Sequence, residues 1–395
     1  QPTRTLAARA RHLIALASGG CEQQRVPVTI PSTRAKECHM KMRAARMYGY
    51  KQPLRLEEVD VPSPGPEEVL VRVGGAGMCR TDFQLIDGYF DNGLSMDFPI
   101  TPGHEVAGWV DGVGSAVPKS AGLAEGDQVV VFGSWGDGAC RQCHEGNEQL
   151  CAHGVWAGFG RHGGYQEYLP VNYRYLIKIP GGGELSPDNL APLTDAGLTP
   201  YRGLKKLRNA GHLGPGRTVA VSGIGGLGSY ATQYAKLLGG GAEVVAFARS
   251  DEKLKIAKDN GADHVVNVRD KDTEDVRAEL ESATGRTELD AVIECAGSED
   301  SIRLAFSLLA AEGAVASVGL IGNRVDIPLF PLVAREYTFY GSFWGNYNDL
   351  TEVLALARTG QLKHSVTRVR FDDVNETLEA IARGDVLGRA VIVYD

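Results

Sequence analysis

From about residue 218 onward the chain alternates short β-branched apolar runs with stretches of helical period. Thr218 to Val221 is the first such run, and a helix-like segment and a second apolar run follow it before Ser250. Further on, the pattern predicts helix over Asp251 to Asn260, strands over Ala262 to Asn267 and Leu289 to Cys295, and helix over Glu299 to Ala310. Ala314 to Gly319 and Thr338 to Ser342 read as further strands. This alternation predicts an α/β fold with a doubly wound parallel sheet and right-handed crossovers. The first half reads differently. From Ala44, short apolar runs such as Glu68 to Val73 and Val106 to Val110 are punctuated by Pro and Gly, which predicts a β-rich domain of short strands and loops. Leu190 to Leu204 reads as a helix between the two regions. The last part, from Asp349, offers a helix (Leu350 to Arg358), a strand-helix unit and a final strand (Arg389 to Val393), expected to return to the first domain. No internal repeat or low-complexity linker interrupts the chain.

Between the two apolar runs lie Gly223, Gly225 and Gly228 at G-x-G-x-x-G spacing, with Gly226 and Leu227 completing the turn. A bare glycine pattern is an ordinary αβ turn. With a strand before it and a helix and second strand after it, the stretch reads as the first half of a Rossmann dinucleotide-binding unit, the pyrophosphate lying on free N–H groups at the helix start. The second strand ends in Ala248, followed by Arg249 and Ser250, where an NAD-binding chain usually carries a carboxylate for the ribose 2′-hydroxyl. A guanidinium and a hydroxyl there suit a 2′-phosphate, so NADP(H) is expected over NAD(H). Solvated helix-start residues are the plainer reading of that pair.

Composition narrows the classes. A chain of 395 residues is long for one core, and 43% hydrophobic with 23% charged residues is ordinary for a globular protein. A net charge of −8 speaks against nucleic acid or an anionic membrane as main partner. No apolar run approaches the roughly 18 residues of a membrane-spanning helix. Of seven cysteines, Cys140, Cys143 and Cys151 crowd one short loop, which points to metal rather than disulfides and to a reducing cytoplasm. Residues 1–40 are Arg-rich and acid-poor without a sustained period. They read as an upstream extension or a cloning-derived stretch ahead of a start at Met40, Met42 or Met47, with a transit peptide as the alternative, and Cys21 and Cys38 within them receive no role.

Cys79, His104 and Asp195 are far apart in sequence, yet each is a zinc-competent side chain near the end of a predicted element. Singly, each has a plain explanation: a buried thiol, a hydrogen-bonded core histidine, a helix-capping aspartate. Together with their surroundings they carry a resemblance. GMCRTD (Gly77 to Asp82), PGHEVAG (Pro102 to Gly108), GDGACRQCHEGNEQLC (Gly136 to Cys151), GGYQEY (Gly163 to Tyr168) and SGIGGLG (Ser222 to Gly228), in that order, resemble the zinc-dependent medium-chain alcohol dehydrogenases. The resemblance runs from about Ala44 to Asp395 and is closest to microbial secondary-alcohol dehydrogenases with an aspartate zinc ligand. It implies a GroES-like catalytic domain over 41–196, with a structural zinc lobe at about 136–153, a Rossmann domain over 197–342 and a C-terminal return over 343–395.

By that resemblance Cys79 and His104 are ligands of a catalytic zinc, Glu105 is a carboxylate able to approach the metal, and Asp82 orients the histidine. Thr81 matches the hydroxyl that relays the substrate proton. Arg80 and Arg389 match residues that approach the cofactor phosphates, and Thr199 joins the expected cofactor contacts. Three positions depart from the pattern. Asp195 stands where the family usually has cysteine, which keeps the charge but gives a harder ligand. Asp137 replaces the first cysteine of a structural zinc site completed by Cys140, Cys143 and Cys151; a metal-free loop is the alternative, and His144 or His153 could substitute as fourth ligand. Gln84 stands where a histidine often ends the proton relay, and it cannot titrate. The implied activity is hydride transfer with NAD(P), the zinc acting as Lewis acid on the oxygen of an alcohol or carbonyl substrate. The aromatic residues Tyr89, Phe90, Trp135, Trp156, Phe343 and Trp344 are ordinarily core; by resemblance Phe343 and Trp344 line the cleft and favour hydrophobic secondary alcohols, ketones or aryl aldehydes. Homodimers and homotetramers both occur in the family. The rival readings are a zinc-free quinone or enone reductase of the same superfamily, a non-catalytic cofactor-binding sensor, and, least consistent with the acidic charge, a zinc-finger role for the cysteine loop.

Overall fold

Val69, Val71 and Val73 are buried along strand β1 (Glu68–Met78), so one face of this strand is committed to a core. The computed structural model describes residues 40–91, 93, 96–180 and 185–394. The expectations for residues 1–39, including Cys21 and Cys38, lie outside the described residues. Helix α1 (Arg80–Asp87) follows β1 at once, with Cys79 as its N-cap and Gly88 closing it in the left-handed conformation. Strands β2 (Glu105–Val113), β3 (Gln128–Val131), β4 (Tyr168–Asn172) and β5 (Leu176–Lys178) come next. After helix α2 (Leu198–Asn209), strand β6 (Thr218–Ser222), helix α3 (Gly226–Leu238), strand β7 (Glu243–Ala248) and helix α4 (Asp251–Asp259) follow in order. Strands β8 (His264–Asn267), β9 (Leu289–Glu294), β10 (Leu309–Ser317) and β11 (Thr338–Gly341) precede helix α5 (Tyr347–Arg358) and the last strands, β12 (Val366–Arg370) and β13 (Arg389–Val393).

Two main sheets result. The seven-stranded one runs β5-β3-β2-β1-β13-β12, with β4 also paired to β1. The other runs β8-β7-β6-β9-β10-β11, every pair parallel, because helices rather than hairpins connect its strands. Its centre is apolar on both faces: Val219, Val221, Val244, Val245 and Ile293 are fully buried. This is the expected Rossmann-like sheet beside a separate, largely antiparallel β domain. Strand β6 has β7 on one side and β9 on the other, so a crevice opens at their carboxyl ends, where such sheets bind ligands. Among the described residues no helix is long and apolar enough to cross a membrane.

Register explains the convergence that follows. Gly77 lies opposite Glu105 on β2, and Met78 lies opposite Ala390 on β13. Cys79, Glu105 and Arg389 therefore occupy three neighbouring strand ends, although they come from the beginning, middle and end of the chain.

Two elements differ from the sequence expectation. Leu190 to Leu204 is not one helix: a short helix ends at Leu190, a 3₁₀ turn covers Ala191–Thr194, and α2 begins only at Leu198, with Asp195 in the break. Apolar spacing does not separate 3₁₀ from α over so few residues. The helix expected over Glu299 to Ala310 stops at Ser307, and β10 begins at Leu309 rather than at Ala314. Leu308 and Leu309 are buried, so the sheet rather than the helix takes the start of that run.

Helix α5 is clamped to α2 by a buried carboxylate. Asp349 accepts from Arg202 Nη1 at 2.7 Å and Lys205 Nζ at 2.8 Å, while closing a capping box with Asn346. Burial pushes the Asp349 carboxyl up, but Lys205, the Asn346 N–H and Arg202 outweigh it and hold it below the usual carboxylate range. A depressed carboxylate stabilises the fold above its unfolded value and loses that contribution as pH falls through its folded one. Asp349→Asn should therefore cost about 2 kcal/mol in chemical unfolding at pH 7. The deficit should shrink steadily below about pH 4, and a deficit as large at pH 3 as at pH 7 would contradict this account of the clamp.

Candidate catalytic metal and cofactor site

Cys79, His104, Glu105 and Asp195 come together, each offering a ligand atom within 4.8 Å of the others, in a group that can hold a metal ion. Cys79, His104 and Glu105 are buried, and Asp195 is nearly so. The histidine is oriented from behind. Asp82 Oδ1 lies 3.0 Å from His104 Nδ1, and Asp82 Oδ2 accepts from the Cys79 backbone N–H at 2.9 Å and from the Tyr165 hydroxyl at 2.8 Å. A carboxylate at Nδ1 keeps a proton there, so Nε2 is the nitrogen left facing the cluster, the one that would bind a metal on losing its own proton. Burial works against a charged His104, but Asp82 and Asp195 raise it well above its ordinary value.

Asp195 sits in the break before α2. Its Oδ2 lies 3.4 Å from His104 Nε2 and 3.5 Å from Arg389 Nη2, and its Oδ1 accepts from the Thr199 hydroxyl at 2.7 Å. Burial would raise its carboxyl, yet His104 and Arg389 hold it well below the usual range. Trp344 steadies the backbone beside it, donating its indole N–H to Thr194 O at 2.8 Å while its ring meets His104 edge-on at 5.5 Å. Glu105 is tied by Ala196 N–H at 3.1 Å and by Arg389 Nη2 at 3.0 Å, both to Oε1. Its Oε2 is buried without a hydrogen-bond partner, and burial pushes the carboxyl well up. The thiol of Cys79 feels burial most, but the charge of Arg389 brings it below its ordinary value. The donor set therefore fits a zinc ion: a thiolate-prone sulfur, an imidazole nitrogen and a carboxylate converge, and a buried carboxylate oxygen beside them lacks a partner.

The glycine turn lies next to this group. Gly223 has φ +87° and packs against Ala296, and a Cβ on Gly228 would fall 2.0 Å from Gly223 O. Around Gly225 there is open space, and helix α3 starts without any side-chain cap, so its first N–H groups stay available to an anion. Arg389 connects the two places. Its guanidinium carbon would lie 2.9 Å from a Cβ on Gly226, the first residue of α3, while Nη1 bonds Met78 O at 3.1 Å. Arg80 opens α1 and donates to Ala382 O at 2.9 Å. Thr81 lies on the first turn of α1, its oxygen 3.4 Å from Cys79 Sγ. Gln84 donates to Leu320 O at 2.5 Å, crossing from α1 to the loop after β10. Ser250 caps α4 through Lys253 N–H at 3.4 Å, and Arg249 is exposed at the end of β7. Leu227 follows Gly226 in the first turn of α3.

A second group, Asp137 with Cys140, Cys143 and Cys151, also converges within 4.8 Å and can hold a metal; His144 and His153 are not in it. Asp137 Oδ1 accepts from the Ala139 and Cys140 N–H groups at 2.9 and 3.0 Å, which hold the carboxyl well below its usual range. Cys140 Sγ lies 3.5 Å from Cys143 Sγ and 3.7 Å from Cys151 Sγ, close enough for one ion to serve all three.

Aromatic rings wall one side of His104. Phe159 and Trp344 each meet it at 5.5 Å, Trp156 lies 5.3 Å from Phe343, and Phe90 lies 5.7 Å from Phe159. Of the pair expected in the cleft, Trp344 is buried and Phe343 is 44% exposed. Sequence reasoning passed over Tyr165, which holds Asp82, and gave Trp344 no part in fixing Thr194. The signal for Tyr165 was present in GGYQEY, used only as a mark of resemblance.

Known proteins resemble this chain in sequence and fold. The chain matches the alcohol dehydrogenase GroES-like domain over residues 65–181 and the zinc-binding dehydrogenase domain over residues 226–359. It is 35% identical over 354 residues to the D-arabinose 1-dehydrogenase (NADP(+)) of Saccharolobus solfataricus, covering 89% of this chain and 98% of that one. It is 34% identical over 360 residues to the NAD-dependent alcohol dehydrogenase of Sulfurisphaera tokodaii, covering 89% and 100%. The solved alcohol dehydrogenase of Aeropyrum pernix superimposes with a TM-score of 0.82 at 36% identity, covering 89% and 100%. With both domains, the cofactor turn and the metal group accounted for, the chain belongs to the zinc-dependent medium-chain dehydrogenase/reductase family and is an NAD(P)-linked oxidoreductase of alcohols and carbonyl compounds.

Proposed function

We propose that the chain interconverts hydrophobic secondary or aromatic alcohols with their ketones or aldehydes, with NADP(H) as preferred cofactor. The observation that carries this reading is the buried Arg389, which lies against Glu105 and Asp195 on one side and Gly226 of the cofactor turn on the other. It places the metal group beside the glycine turn that would receive the cofactor. Cys79, His104 and Asp195 are the proposed ligands of a catalytic zinc, and Asp137, Cys140, Cys143 and Cys151 those of a structural one. A bound zinc supplies Lewis acidity and the cofactor supplies a hydride donor or acceptor.

The chain's own residues supply the rest. Asp82 holds the His104 proton on Nδ1, and Arg389 offsets the charge of Glu105, Asp195 and Cys79. The Thr81 hydroxyl carries the substrate proton outward, and Gln84, fixed to Leu320 O, takes no part in titration. The rings of Phe90, Trp156, Phe159, Phe343 and Trp344 exclude water and favour apolar substituents. Gly223, Gly225, Gly226, Leu227 and Gly228 receive the pyrophosphate with Arg80 and Arg389. In the same reading residues 41–196 with 343–395 form the catalytic domain and 197–342 the cofactor domain. The chain assembles as a homodimer or homotetramer in the cytoplasm, none of its described cysteines being in a disulfide, and its net charge of −8 disfavours nucleic acid.

Support for the 2′-phosphate comes from the end of β7. Ala248 leaves no carboxylate there, and Arg269 donates its Nε to Arg249 O at 2.5 Å, bringing a second guanidinium close. Asp251, the next acid in sequence, is engaged by Asn267 at 2.8 Å.

Two outcomes follow. Asp195→Ala should abolish turnover of a ketone panel while cofactor fluorescence titration stays within about threefold of wild type; unchanged turnover would remove Asp195 from the ligand set. The ratio of kcat/KM should favour NADPH over NADH, and Arg249→Ala should lower it about tenfold for NADPH but less than about threefold for NADH. A tenfold preference of the wild type for NADH would overturn the cofactor assignment.

A further inference from the structure

We propose that Thr199 is a positioning residue for Asp195, selecting which carboxylate oxygen faces the metal; the proposal rests on the reading of Asp195 as a ligand. A cysteine at this place would present one sulfur and no choice. A carboxylate presents two oxygens, and its terminal torsion is broad and roughly two-fold, so either oxygen, or both, can turn inward. Replacing thiolate by carboxylate therefore creates an orientation problem at this ligand.

The chain divides the two oxygens between different partners. Oδ1 accepts from the Thr199 hydroxyl at 2.7 Å, the length of a charge-assisted bond. Oδ2 is left toward His104 Nε2 at 3.4 Å and Arg389 Nη2 at 3.5 Å. Thr199 is well placed to enforce this. It is 6% exposed on the first turn of α2, and its own N–H bonds Asp195 O at 2.8 Å, so backbone and side chain grip the same residue. Its β-branch restricts χ1, which limits the directions the hydroxyl can take. The preceding carbonyl is pinned by Trp344, so the Asp195 backbone does not swing to compensate.

This assigns Thr199 to the metal side of the site, whereas the sequence placed it among cofactor contacts. With its proton given to Asp195, the hydroxyl has only lone pairs to offer a nicotinamide. The role is specific to a carboxylate, because a thiolate at residue 195 has no second oxygen to restrain.

The test uses the full-length, zinc-loaded protein and follows zinc transfer to a chromophoric chelator, together with kcat, ketone KM and NADPH affinity. Asp195→Ala first identifies the kinetic phase that belongs to the catalytic site. Thr199→Val should speed that phase about tenfold or more and lower kcat, with NADPH affinity within about threefold of wild type. Thr199→Ser should restore both to within about threefold. In an Asp195→Cys background, adding Thr199→Val should leave zinc release unchanged, since the restrained oxygen is gone. Thr199→Ala removes the hydroxyl without the added methyl and serves if the valine variant does not fold. Weakened NADPH affinity with unaltered zinc release would overturn the proposal in favour of a cofactor contact. Equal effects of Thr199→Val with Asp or Cys at residue 195, or failure of serine to rescue, would overturn it in favour of helix packing. If Asp195→Ala itself changes no release phase, the ligand assignment fails first and the proposal with it; if Asp195→Ala changes release and Thr199→Val does not, the assignment stands and only the proposal falls.

Discussion

A single buried guanidinium sets the terms for the whole site. Arg389 is 6% exposed and faces Glu105, Asp195 and Cys79, three groups whose charged forms need a counter-ion away from water. Burying any of them unpaired costs several kcal/mol, so they are retained only as a set. Their attraction in turn raises the Arg389 pKa above its already high value despite burial. Arg389 comes from the last strand, Cys79 from the end of β1 and Glu105 from the start of β2, and the β13-β1-β2 register brings them together. The C-terminal strand is thus part of the buried charge cluster as well as of the sheet.

Behind this layer stands a second one made of neutral donors and one more carboxylate. Both oxygens of Asp82 are engaged, by His104, by the Cys79 backbone and by Tyr165. Its position follows from the capping box that starts α1, so the helix start and the orientation of the imidazole are one structural event. Asp195 is held in a comparable way by Thr199, and its carbonyl neighbour by Trp344. Each proposed ligand is therefore aimed by a partner that does not itself touch the ion, as metal sites generally require. The cofactor turn needs less support. It relies on glycines that permit close packing, on open space at Gly225 and on the free end of α3.

Much of this is legible in the sequence. The strands at Thr218–Ser222 and Arg389–Val393 and the helix at Asp251–Asp259 stand almost where periodicity puts them, because their cores are apolar and their ends carry turn or cap residues. Motif order groups Cys79, His104 and Asp195, and they lie together with Glu105. What is not legible depends on contacts distant in sequence. The break at Asp195 falls inside a segment whose leucines, Leu190, Leu193, Leu198 and Leu204, read as one helix, and the carboxylate sits in that break. The bonds from Tyr165 to Asp82 and from Trp344 to Thr194 span 83 and 150 residues, beyond the reach of local pattern. The bond from Thr199 escapes notice for the opposite reason. Its partner is only four residues away, but nothing in the sequence says which side of the helix start faces the metal.

At the centre of the site, on this reading, is one metal ion held by three side chains drawn from distant parts of the chain. Anomalous diffraction at the zinc edge, from crystals of the zinc-loaded protein, would locate it. The expected result is a peak about 2.3 Å from Cys79 Sγ and about 2.0 to 2.2 Å from both His104 Nε2 and an Asp195 oxygen. No peak among these three, or a peak whose ligands exclude Asp195, would contradict it.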